Sequence, residues 1–69
     1  MLQVHFYESD SKKFLGGQDI MPSLEYFDSI IPKVMCLVNP QKIAEHKFSV
    51  PQMGWIVVCE ESSLREISY

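Results

Sequence analysis

The sequence predicts a small α+β domain: a mostly antiparallel sheet of four to five strands with one main helix. Three observations carry that expectation. Gly54-Trp55-Ile56-Val57-Val58-Cys59-Glu60 places bulky apolar residues between a turn signal and a charge pair, the composition of a packed strand. Val34 to Val38 is a second unbroken apolar run. Between the first residues and that run, the hydrophobic period changes from two to about 3.6 at Pro22, as it does where a strand gives way to a helix.

In chain order, Leu2, Val4 and Phe6 alternate with Gln3, His5 and Tyr7, which predicts a strand over 1–7 with one face in the core. Glu8-Ser9-Asp10-Ser11 is turn chemistry, because Ser and Asp side chains bond nearby backbone and compete with regular structure. A short return strand is expected over 12–15, ended by Gly16-Gly17. Leu24, Phe27, Ile30 and Ile31 form one helical stripe with Glu25, Asp28 and Ser29 opposite. Pro22 suits a first helical position and Pro32 a stop, so the main helix is expected over 22–31.

The run 34–38 then reads as a central strand, and Asn39-Pro40 as the cap of a short second helix over about 40–45. Phe48 and Val50 alternate with Lys47 and Ser49, and Pro51-Gln52-Met53-Gly54 supplies a turn. Residues 47–50 and 55–60 are therefore expected to pair as an antiparallel hairpin. In the second strand, Trp55, Val57 and Cys59 point to one face while Ile56 and Val58 point to the other. Leu64 to Tyr69 is expected as an edge strand.

Sixty-nine residues suffice for one compact domain, 1–69, at the size where only about 60% of the unfolded chain's surface is buried on folding. No apolar segment reaches the 18 residues of a membrane span, and the N-terminus lacks a leader pattern, so a cytoplasmic protein without membrane contact is expected. Cys36 and Cys59 lie inside apolar runs without CxxC spacing, which predicts two reduced core thiols. Five acids against two lysines make residues 1–30 acidic, and no basic stripe exists to neutralise phosphates, which argues against direct nucleic-acid binding.

Chemistry-bearing residues are present but unconvincing as sites. A thiolate nucleophile needs an electropositive, partly exposed setting, whereas hydrocarbon surrounds both cysteines in the sequence. His5 and His46 lack metal-ligand spacing, the acid pairs Glu8/Asp10 and Glu60/Glu61 adjoin turn residues, and Gly16-Gly17 is too short to cradle a phosphate. The expectation is no catalytic, metal or cofactor site.

What remains is apolar excess. Two strands apolar on both faces need cover on both sides, and one clear helix gives half of it. The function expected is a small non-enzymatic binding module that uses an apolar sheet face or an edge strand, as a homodimer or bound to a protein partner. Tyr7, Met53, Trp55 and Tyr69 are residue types enriched at interface cores. A second reading takes Asp19, Glu25 and Asp28 as an acidic face and the chain as a phage-type regulatory inhibitor of a nucleic-acid-processing enzyme. A third is a small thiol-dependent enzyme.

Overall fold

A computed structural model describes residues 1–61 as one antiparallel sheet with one α-helix. Strands β1 (Leu2–Glu8), β2 (Phe14–Ile20), β3 (Gln41–Ala44), β4 (Lys47–Val50) and β5 (Trp55–Glu61) lie in the order β2-β1-β5-β4-β3. Helix α1 (Leu24–Val34) and a 3₁₀ turn over Cys36–Val38 form the crossover from one edge of the sheet to the other. The expected edge strand 64–69 lies outside the described residues.

The period-2 expectation for β5 holds. Trp55, Val57 and Cys59 share a face with Leu2, Val4 and Phe6 of β1 and Phe48 and Val50 of β4, and α1 packs Phe27 and Ile31 onto it. Phe27, Val50 and Val57 are fully enclosed, and the Phe27 and Phe48 rings meet edge to face at 5.7 Å between centroids. Tight turns carry the β-hairpins. Gly54, at φ 71°, closes the β4–β5 turn where a side chain would be strained, and its carbonyl accepts from Ser9 N–H at 2.8 Å, tying that turn to the β1–β2 turn.

Five expectations of secondary structure are corrected. Pro32 does not stop the helix, which runs on to Val34. Proline costs a hydrogen bond and crowds the preceding turn, but the core-facing stripe Leu24, Phe27, Ile31 continues at i+4 to Met35, whose N–H reaches Ile31 O at 3.0 Å. Pro22 stays outside the helix, because Ser23 takes the N-cap and accepts from Tyr26 N–H at 3.1 Å. Consequently residues 34–38 are not a strand. They finish the helix and make the 3₁₀ turn, with Met35 and Val38 packed inward and Leu37 91% exposed.

The expected helix over 40–45 is instead β3, paired with β4 through the two-residue turn Glu45-His46. Asn39 sits at φ 48° as the C-cap of the 3₁₀ turn, a left-handed conformation that Asn tolerates, so it redirects the chain and caps no helix. Gly16-Gly17 do not end the second strand. They lie inside β2, opposite Phe6 and His5 of β1.

Candidate functional site

Among the described residues, two polar clusters and an apolar groove stand out. On the face away from α1, His5 is only 5% exposed, between Val58 of β5 and Gly17 of β2 in register. Its Nδ1 lies 2.8 Å from Glu60 Oε2, the same oxygen that accepts from the Tyr7 hydroxyl at 2.5 Å, and its ring meets Phe14 edge-on at 5.4 Å. A Cβ at Gly17 would stand 2.9 Å from His5 Cδ2, so glycine here makes room for the imidazole. Burial alone would raise the Glu60 carboxyl, but hydrogen bonds from His5 and Tyr7 and the charges of His5 and Lys47 outweigh it and hold the group below its ordinary 4.5.

That direction fixes an acid response. Glu60 contributes stability in full above 4.5, its ordinary value, and loses it as pH falls through the lower folded value. Urea midpoints should therefore separate wild type from Glu60→Gln at about pH 6, and the gap should narrow as pH falls below 4.5. A constant gap across that range would rule the network out as a pH-dependent contribution.

The second cluster joins α1 to the β3–β4 hairpin. His46, held at φ 60° in the turn, places Nδ1 2.8 Å from Asp28 Oδ2, and Lys42 Nζ is 3.6 Å from the same oxygen. Asp28 Oδ1 is buried and accepts no hydrogen bond among the described residues. Cys59 lies nearby, 6% exposed, and its thiol is pushed up by burial first and then by the charges of Asp28 and Glu60. Cysteine, histidine and aspartate thus share a neighbourhood, but the environment favours the thiol over the thiolate that attack requires. Cys36, expected in the core, is exposed. Among the described residues no group of three or more His, Cys, Asp and Glu is placed to hold a metal ion.

The groove, of about 690 Å³, runs between α1 and the β1–β2 half of the sheet. Phe6 and Trp55 form its floor, with rings 5.4 Å apart edge to face, Tyr26, Ile30 and Val34 line its helix wall, and Ile20 and Met21 line the opposite side. Among the described residues Asp19 is its only charged lining residue. Ile20 and Val34 are 63% and 66% exposed, large apolar side chains left in water. The bare face continues past Phe6 and Trp55 toward Leu15, Gly16 and Gly17, and Gly16, opposite Phe6, adds no side chain to cover it.

The interface candidates separate. Trp55 lines the groove, Tyr7 lies on the opposite sheet face with Glu60, Met53 is exposed in the β4–β5 turn, and Tyr69 lies outside the described residues. The acidic candidates separate too. Asp19 borders the groove, Asp28 is engaged on the other flank of α1 by His46 and Lys42, and Glu25 is exposed in the first helical turn. Sequence reasoning missed Phe6, Ile20, Tyr26, Ile30 and Val34 as groove residues. The available signal was the stripe Tyr26-Ile30-Val34 at i, i+4, i+8, a second apolar row beside the buried one.

No helix among the described residues is long and apolar enough to cross a membrane. Comparison with family models, curated proteins and solved structures finds no match to the chain.

Proposed function

We propose that this protein is a small non-enzymatic protein-binding module that works through the apolar groove between α1 and the β1–β2 half of the sheet. The observation that carries the reading is the row of exposed Ile20, Tyr26 and Val34 around a floor of Phe6 and Trp55. Contiguous apolar surface rimmed by polar residues marks interaction sites in monomeric folds, and Tyr, Trp, Phe and Met are enriched at their cores. The polar clusters support a binding role by default: Glu60 is engaged with His5 and Tyr7, Asp28 with His46 and Lys42, and the Cys59 thiol is raised.

Neither sheet edge competes well as the binding surface. β2 pairs Gln3 with Ile20 but Val4 with Gln18, so Asp19 is an extra residue, and Leu15 is a second between the Phe6–Gly16 and Tyr7–Phe14 pairs. Such bulges twist an edge away from further pairing. β3 is four residues long, breaks register between Lys42 and Ala44, and carries Lys42, a charge that discourages strand addition.

Val34→Glu tests the reading without touching the core. Native mass spectrometry of the tagged protein from cells that express it should show a stoichiometric second protein or second copy, lost from the variant. A wild-type chain that flies alone, or a complex indifferent to Val34→Glu, would count against the groove.

A further inference from the structure

The width of the sheet against the width of one helix says what shape of partner the groove takes. Five strands spaced about 4.8 Å apart span about 19 Å, while a helix with its side chains is about 10–12 Å across and packs about 8–10 Å from a neighbouring helix. The sheet therefore has room for two helices side by side. α1 takes the β5–β4 half, where Phe27 packs on Phe48 and Asp28 reaches the β3–β4 turn. No second helix covers the β1–β2 half among the described residues.

The wall that α1 turns toward this space has the shape of a helix-packing surface. Tyr26, Ile30 and Val34 form one i±4 ridge, the kind that interdigitates with a ridge of a neighbouring helix. Its charges are polarised. Asp19 borders the groove four residues before the Ser23 N-cap, and Lys33, seven residues after Tyr26 and so on the same stripe, stands in the last turn. A helix antiparallel to α1 would bring its C-terminal turn to Asp19 and its N-terminal turn to Lys33. Those are the ends where a helix best carries basic and acidic residues respectively.

We propose that the groove binds an amphipathic α-helix of a partner protein, antiparallel to α1, with apolar residues at i, i+3, i+4 and i+7 on the β1–β2 face, a lysine or arginine in its last turn against Asp19, and an acidic residue in its first turn against Lys33. This rests on the binding-module reading and specifies its partner. The bulged β2 edge argues against an extended peptide in the same place, since such a peptide would depend on a regular strand to pair with.

Trp55 is the only tryptophan and lies in the groove floor, so its fluorescence reports occupancy. The probe is an 18-residue peptide with leucines at that spacing, glutamates in the first turn and lysines in the last. The full chain should show a saturable blue shift of Trp55 emission. Val34→Glu should weaken binding at least about 10-fold by putting a charge on the ridge. Asp19→Lys should weaken it about 3-fold, as a partly exposed ion pair allows, and a peptide ending in glutamates should recover the loss.

An absent shift, binding indifferent to Val34→Glu, or an Asp19→Lys variant that prefers neither peptide would overturn the proposal. Two further arms separate it from the reading beneath it. Should the helical peptide fail while sedimentation shows self-association, or a strand-forming peptide binds, and Val34→Glu abolishes either, the groove remains a protein site and the helical partner is wrong. Should all three fail, both fall.

Discussion

Phe27→Ala is expected to remove about 3–5 kcal/mol of stability, a third or more of the whole. Phe27 has no exposed surface, and its ring meets Phe48 edge-on at the centre of the cluster formed by Val4, Ile31, Val50, Val57 and Cys59. Truncating a buried phenylalanine costs about 3–5 kcal/mol, the lost burial plus the cavity left behind. Stabilities of about 0.05–0.15 kcal/mol per residue give a 69-residue chain about 3–10 kcal/mol to begin with. The loss is therefore at least about a third of the stability, and all of it at the lower end of the range. Far-UV circular dichroism and a urea titration check it, with Tyr26→Ala as the control. Tyr26 is the adjacent residue on the half-exposed flank, and its loss should move the midpoint far less. Equal shifts would mean that α1 does not pack as described.

That contrast between neighbours marks where the sequence was informative. β1 and β4 follow from alternation, because a strand with one face in the core favours apolar residues at every second position; β5 follows from its unbroken apolar run, and the hairpin 47–50 with 55–60 from its turn. The stripe of α1 was equally plain up to Ile31. Beyond it, Val34 to Val38 could not be assigned by composition, since a short apolar run fits a buried strand and the end of a helix alike. The arbiter was tertiary: Met35 continues the buried stripe, Leu37 points into water, and the chain must cross the sheet to reach β3.

Asn39 misled for a related reason. Asn serves both as an N-cap and as a left-handed turn residue, and only the pairing of Gln41 with Ser49 decides between them. The groove was half legible. Apolar excess announced an uncovered face, but which half of the sheet stays bare depends on where α1 lies, and Asp28 with His46 and Lys42 fixes that from residues 14 or more positions apart.

The same misassigned run sets the second large effect, a split between the two thiols. A strand at 34–38 would have buried Cys36 beside Cys59, whereas the 3₁₀ turn leaves Cys36 exposed and only Cys59 in the core. Iodoacetamide at pH 8 should therefore modify Cys36 of the native protein promptly and Cys59 at least about 100-fold more slowly, because the reagent must await an opening of the core that costs several kcal/mol. Burial and the nearby carboxylates of Asp28 and Glu60 add to the contrast by raising the Cys59 thiol and thinning its thiolate. Peptide mass mapping assigns each site, and in 6 M guanidinium, about twice what marginal domains withstand, the two rates should come together. Equal rates in the native protein would place Cys59 at the surface and take apart the β1–β5–β4 core on which the groove is built.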